Sequence, residues 1–404
     1  MKKYSPLIAL TLLAGCLALS PLRANAQDEK EKQDAKQDAF EREWYDTCYQ
    51  KKPKDEEKCY QQSKELLDKY PTSKFNPNAQ RNVKTYEKNK VMERFQAALT
   101  AYSNAPDAAK LDQLFAAGDE CLKGDKLEPA LQQYVLGRVA LAGTSGAMSE
   151  LYKNLDKIKG YAETALKAFD PAAPPEGWKK EEWDPLREFL LAQMNQYLGW
   201  HFIMGTKSNT DQGLNYLAKA VQMRCKDCAG WKDPNNYFLR STVYSNQYIE
   251  LRKPYDAMTN EQKTGPEGKE ALKKISELLD TKLIPEYARV LATATKPEVK
   301  GIYDFAKSQF DSFWEFRTGA KDKAPDYIKK YEADPTIAPV PVPAKPDDPS
   351  NLDTPAAPTP GSANVKLQAT KPGVTTGGKA PANSNGAKSA PAKGKTKPKS
   401  KKRR

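Results

Sequence analysis

The sequence predicts an all-α body of stacked antiparallel helix hairpins followed by a disordered C-terminal tail. Apolar residues recur at steps of three and four along most of residues 28–334. Leu272, Ile275, Leu278, Leu279, Leu283, Tyr287, Val290 and Leu291 follow this spacing, as do Ile302, Phe305, Ala306, Phe310, Phe313 and Trp314, and such spacing marks one face of a helix. Strand-like alternation bounded by tight hairpin turns is not evident there. From about Pro335 the composition changes to Pro, Ala, Gly, Ser, Thr and Lys without a single aromatic residue, a mixture that cannot bury enough apolar surface to offset its ordering entropy.

Residues 1–26 read as a signal peptide. Lys2 and Lys3 provide a positive start, and Pro6 to Leu19 an apolar run too short for a stable membrane span. Two cleavage signals compete within it. Leu13-Ala14-Gly15-Cys16 looks like the box at which a bacterial lipoprotein is cut and its cysteine lipidated, whereas Ala24-Asn25-Ala26 looks like an ordinary secretory site. Cutting after Ala26 removes the whole apolar run and starts the product on the polar leader QDEKEKQD. A soluble periplasmic or extracellular product is therefore favoured, and an outer-membrane lipoprotein anchored through Cys16 is the alternative. Neither leaves a transmembrane helix in the mature chain.

An exported chain permits disulfides. Cys48 and Cys59 flank YQKKPKDEEK, and if Pro53 ends one helix and starts the next, the two cysteines lie level on antiparallel neighbours. Cys225 and Cys228 form C-x-x-C in MRCKDCAGW. A local structural disulfide is favoured there over free thiols, redox chemistry or half of a metal site, because a second C-x-x-C is lacking and no strand precedes the motif. Cys121 is left over.

Between 27 and 335 the punctuation divides the body into about a dozen helices of roughly 12 to 28 residues. Pro53, Pro71, Pro77, Pro106, Gly124, Gly143, the stretch 171–177, Pro185, Gly205, Gly230 with Pro234, Pro254, Gly265 with Pro266, Pro297 and Gly319 supply it. Asp184 followed by Pro185 predicts a helix start, Asp as the cap and Pro in the first helical position. In NQYLGWHF, Leu198-Gly199 precedes an aromatic residue, and Gly213, Leu217 and Ala220 follow at steps of four and three. Tyr237, Ser241 and Tyr244 repeat a large-small-large order, and Leu136-Gly137 precedes Ala162, Leu166 and Phe169. This pattern resembles tetratricopeptide repeats, in which small residues let paired helices stack closely. KELLDKYPTSKFNPNAQ resembles the helix bend of envelope members of that family. The resemblance implies a tetratricopeptide-like α-solenoid that binds a protein, with Tyr237, Arg240, Tyr244, Asn246 and Tyr248 as candidates for gripping an extended peptide on a concave face.

Enzymatic machinery is not expected. His201, the single histidine, lies in YLGWHFIMG on an apolar helical run, and no phosphate loop or H-E-x-x-H occurs. No cofactor or metal is called for. The net charge of +13 invites a nucleic-acid partner, but its location argues against one. Residues 336–404 carry 13 basic against 3 acidic side chains and residues 1–26 three more basic ones, which leaves 49 of each sign between. The tail ends in Lys393, Lys395, Lys397, Lys399, Lys401, Lys402, Arg403 and Arg404. Without stacking aromatics, and outside the cytoplasm, this cluster suits an anionic lipid, lipopolysaccharide or cell-wall polymer. The expected function is that of an exported, non-enzymatic protein-binding scaffold of the bacterial envelope. The alternatives are a surface tether working through the tail and a thiol-redox protein using Cys225 and Cys228.

Overall fold

Among the described residues all regular structure is helical, as the three- and four-residue periodicity requires. The computed structural model describes residues 20–345 except 125–126, 175, 177, 206–207, 226–227 and 321, with side chains from residue 29 onward. Cys16, the polybasic residues Lys393 to Arg404 and the remainder of the tail from 346 lie outside the described residues. Ala26 falls within the first helix, α1 (Ser20–Tyr45). The described residues divide into two compact units between Gln96 and Ala97, within α3 (Asn76–Asn104).

In the first unit, α1 runs into a π-helical turn (Asp46–Gln50), and α2 (Glu56–Lys69) returns along it. Trp44 is the centre of the core, packed with Cys48, Cys59, Leu66 and Ala79, and its indole N–H donates to Ser63 Oγ at 2.8 Å. Cys48 and Cys59 are joined in a disulfide with Cα atoms 5.1 Å apart. Closing so short a loop contributes about 3 kcal/mol in the chain-entropy account. Pro53 does not begin α2. It lies in the connecting loop, and Asp55 caps the helix by accepting from the Lys58 N–H at 2.9 Å. A side-chain acceptor satisfies donors at the helix start, which a proline ring cannot do.

The second unit continues with α4 (Ala108–Leu122), α5 (Pro129–Met148), α6 (Leu155–Phe169), α7 (Lys180–Met204) and α8 (Thr210–Ala220). Each packs on the next, and α5 also contacts α7 across the intervening helix, which is how stacked hairpins share one continuous core. Starts are fixed by side-chain caps: Asp107 for α4, Asn154 for α6 and Asn209 for α8. Contact between α7 and α8 is the most extensive in the chain and runs through two glycines. A methyl on Gly199 would stand 2.5 Å from Leu217, and one on Gly213 2.6 Å from Ile203. The small residues singled out in the sequence thus serve close helix approach. Gly143 likewise does not end a helix. It lies inside α5, where Phe115 and Ile158 press against its Cα position.

Asp184-Pro185 is not a helix start either, since α7 begins one turn earlier, at Lys180. Burial decides the difference. Trp183 is fully buried, stacked on Phe169 at 5.0 Å and packed on Trp178, and helical geometry from 180 carries it there. Burying an indole outweighs one hydrogen bond lost at the proline.

The remaining helices are α9 (Pro234–Asp256), α10 (Asn260–Thr264), α11 (Pro266–Leu278), α12 (Ile284–Thr293), α13 (Lys300–Thr318) and α14 (Ala324–Lys329). A π-helical turn, Leu279–Leu283, makes α11 and α12 continuous. Ile275, Leu279, Leu283, Tyr287 and Leu291 are all buried at strict steps of four, a spacing that runs ahead of a 3.6-residue turn. The wider π turn takes up part of that lead. Gly319, at φ +73°, ends α13 in the left-handed conformation that glycine adopts without strain.

Residues 336–345, grouped with the tail by composition, form a strap held on the body. Val340 and Val342 pack against the core. The Val340 N–H donates to Tyr331 Oη and its carbonyl accepts from Tyr327 Oη, both at 2.8 Å, and the Lys345 N–H donates to the Arg317 carbonyl.

Candidate functional site

Helix α9 carries the residues to which the sequence pointed. Asp233 caps it through the Asn235 N–H, and Pro234 occupies its first position. Tyr237, Arg240, Tyr244 and Tyr248, at steps of three and four, do share a face, but that face looks inward. Tyr237 is 0% exposed and its hydroxyl donates to the Trp231 carbonyl at 2.5 Å. Tyr248 is 2% exposed and meets Phe313 edge-on at 5.2 Å. Tyr244 is half-buried. Burial pushes the Tyr248 hydroxyl up to about 12 and raises those of Tyr237 and Tyr244 as well. The expected peptide-gripping row is therefore corrected: α11, α12 and α13 pack over this side of α9, and the tyrosines contribute to the core.

The outward side of α9 forms a groove instead. Val243 and Leu251 from α9 and Leu278 from α11 give it an apolar floor, and Asn246, Gln247 and Glu250 a polar rim, around about 500 Å³ open to solvent. Asn246 alone among the expected residues belongs here. Glu250 also pairs with Lys253 at 2.6 Å, both side chains being exposed. The sequence signal for the groove is the polar pair Asn246-Gln247 between Tyr244 and Tyr248, which points away from the tyrosine face.

Arg240 belongs to a buried ionic network. Its Nη2 pairs with Glu286 Oε1 at 2.8 Å, and Arg289 Nη1 reaches the same oxygen at 2.6 Å. Glu286 is 1% exposed and Arg289 4%. Arg289 also holds the strap at its start: Nε donates to the Pro335 carbonyl and Nη2 to the Ile337 carbonyl, each at 2.8 Å. Its guanidinium also lies 5.0 Å over the Tyr331 ring. Glu286 and Arg289 stand one turn apart on α12, so helix geometry presets the pair.

The C-x-x-C segment fastens the same strap. Cys225 and Cys228 are joined in a disulfide, and the adjacent Arg224 contacts Asp334 at 3.3 and 3.4 Å and Thr336 Oγ1 at 2.8 Å while stacking 4.5 Å over Trp231. Thr336, with Arg224 assisting, holds the Asp334 carboxyl below its ordinary value. Cys121 is buried and stays outside both disulfides. His201 is half-buried on α7 beside Tyr197 and Phe202. Burial, then Lys159, lowers its pKa. Among the described residues no group of His, Cys, Asp and Glu could hold a metal ion, and no helix is long and apolar enough to cross a membrane.

Compared with known families, curated proteins and solved structures, the chain matches no family model, no curated protein and no solved structure.

Proposed function

We propose that this chain is an exported, non-enzymatic scaffold of the bacterial envelope whose tetratricopeptide-like helical body holds a protein partner. The observation that supports this reading is the groove along the outward side of α9. About 500 Å³ with an apolar floor and amide rim has the size and make-up of a recognition site. Its occupant is a partner segment that inserts apolar side chains over Val243, Leu251 and Leu278, hydrogen-bonds to Asn246 and Gln247, and places a cation beside Glu250. The Glu250–Lys253 pair is exposed, and such pairs contribute about 0–1 kcal/mol, so an incoming lysine or arginine displaces it at little cost. The balanced charge of the body fits recognition by shape and local polarity. In this reading export ends in the periplasm or outside the cell, with lipidation at Cys16 as the other route, and the basic tail extends electrostatic reach to an anionic surface.

The test uses the full mature chain as bait in an envelope extract of the cells that make it, beside an Asn246→Arg/Gln247→Arg variant. Both positions are exposed, so the fold is unaffected to within about 0.5 kcal/mol. The expected result is a partner retained by the native chain and by a Lys329→Glu control but lost by the groove variant. Retention by all three, or by none, overturns the reading.

A further inference from the structure

A buried carboxylate needs partners for both oxygens, since leaving one desolvated and unmade is costly. Glu286 meets that need by half. Oε1 accepts from both Arg240 and Arg289, whereas Oε2, fully buried, has no hydrogen-bond partner among the described residues. Arg289 directs its Nε and Nη2 to the Pro335 and Ile337 carbonyls rather than to Oε2.

The carboxylate borders a cavity of about 230 Å³. Arg240, Glu286 and Arg289 line it together with Thr281, Lys282 and residues 335–339, where the chain enters the strap. One water fills roughly 30 Å³, so the cavity has room for more than a single water. Three cationic side chains face it against one carboxylate. Such a lining favours an occupant that brings negative charge to Arg240 and Lys282 and a hydrogen-bond donor to Glu286 Oε2.

We propose that this cavity binds a small carboxylate carrying an N–H or O–H donor on the adjacent carbon, the pattern of an α-amino or α-hydroxy acid. Its carboxylate lies against Arg240 and Lys282, its amino or hydroxyl group donates to Glu286 Oε2, and the strap covers it. The site is separate from the α9 groove and stands whether or not that groove holds a protein.

Calorimetric titration of the full chain with L-alanine, L-lactate and acetate tests this, with thermal unfolding in parallel because a ligand bound only by the folded state raises the melting temperature. Saturable binding is expected for alanine, lactate or both, and which of them binds identifies the donor as ammonium or hydroxyl. Acetate, which lacks the donor, is expected to bind about tenfold more weakly, the equivalent of one hydrogen bond. Lys282→Ala changes an exposed side chain and is expected to weaken binding several-fold without unfolding the protein. Glu286→Gln is expected to weaken it at least as much; if that variant does not fold, the acetate comparison and Lys282→Ala decide. No saturable binding by about 10 mM, acetate binding as tightly as the others, or affinity indifferent to Lys282→Ala each overturns the proposal and leaves a cavity filled by water.

Discussion

Replacing Gly199 by alanine probes the close contact between α7 and α8. On an exposed helix this change stabilises by about 1 kcal/mol through propensity alone. Here the new methyl would sit 2.5 Å from Leu217 Cδ2, 2.6 Å from Leu217 Cγ and 3.3 Å from the Gly213 carbonyl oxygen. Leu217 is 0% exposed and has no open space into which to swing, so the clash becomes strain of about 1–3 kcal/mol. Subtracting the propensity gain leaves Gly199→Ala neutral to destabilising by about 2 kcal/mol. Leu217→Ala alone empties the same space and costs about 2–5 kcal/mol. Combined, the two are expected to cost about 1–3 kcal/mol less than their sum, because the added methyl enters the volume the leucine vacated. Urea unfolding of the four proteins measures the energies, and hydrogen exchange over residues 190–220 shows that the effect is local. A stabilising Gly199→Ala whose effect adds to that of Leu217→Ala would refute the close packing of α7 on α8.

Arg289→Met leaves the buried Glu286 with Arg240 alone and removes two donors from the strap, so a loss of about 3–5 kcal/mol is expected, with accelerated amide exchange over 336–345; native-like protection there would contradict the strap's dependence on this side chain. Arg289→Lys should not restore it, since one ammonium cannot replace a fork serving three acceptors. For His201, burial and then Lys159 lower the folded pKa below the unfolded value near 6.5. The unfolded state therefore binds more protons, and stability present above that value falls as pH drops towards the depressed folded pKa. An NMR titration placing the folded ring at or above 6.5 would count against its burial.

Periodicity revealed the helices but not their orientation. Steps of three and four put Tyr237, Arg240, Tyr244 and Tyr248 together, yet both sides of α9 carry side chains able to face a core, and only the packing of α11 to α13 shows which side is covered. Local punctuation failed where a distant contact outweighed it. Asp184-Pro185 yields to Trp183 because Phe169 and Trp178 await the indole, and Gly143 stays helical because Phe115 requires a small neighbour. The strap was the hardest element to foresee. Alternating prolines remove N–H groups and lower any expectation of order, but carbonyls remain, and the donor for two of them is Arg289, more than forty residues away. Both disulfides were legible because each closes a short loop, of 11 and 3 residues.

That shortness has a consequence for biogenesis. Cys48 and Cys59 are 11 residues apart and Cys225 and Cys228 three, so each pair can oxidise from its own neighbourhood without waiting for distant parts of the chain. A polypeptide threading into an oxidising compartment amino end first would present the first pair well before Cys121 arrives. Cys121, buried in α4 once that helix docks, would then meet few sulfhydryls left to capture. In such a compartment, burying Cys121 while the other four pair close to home would let them mature with little call on a shuffling isomerase.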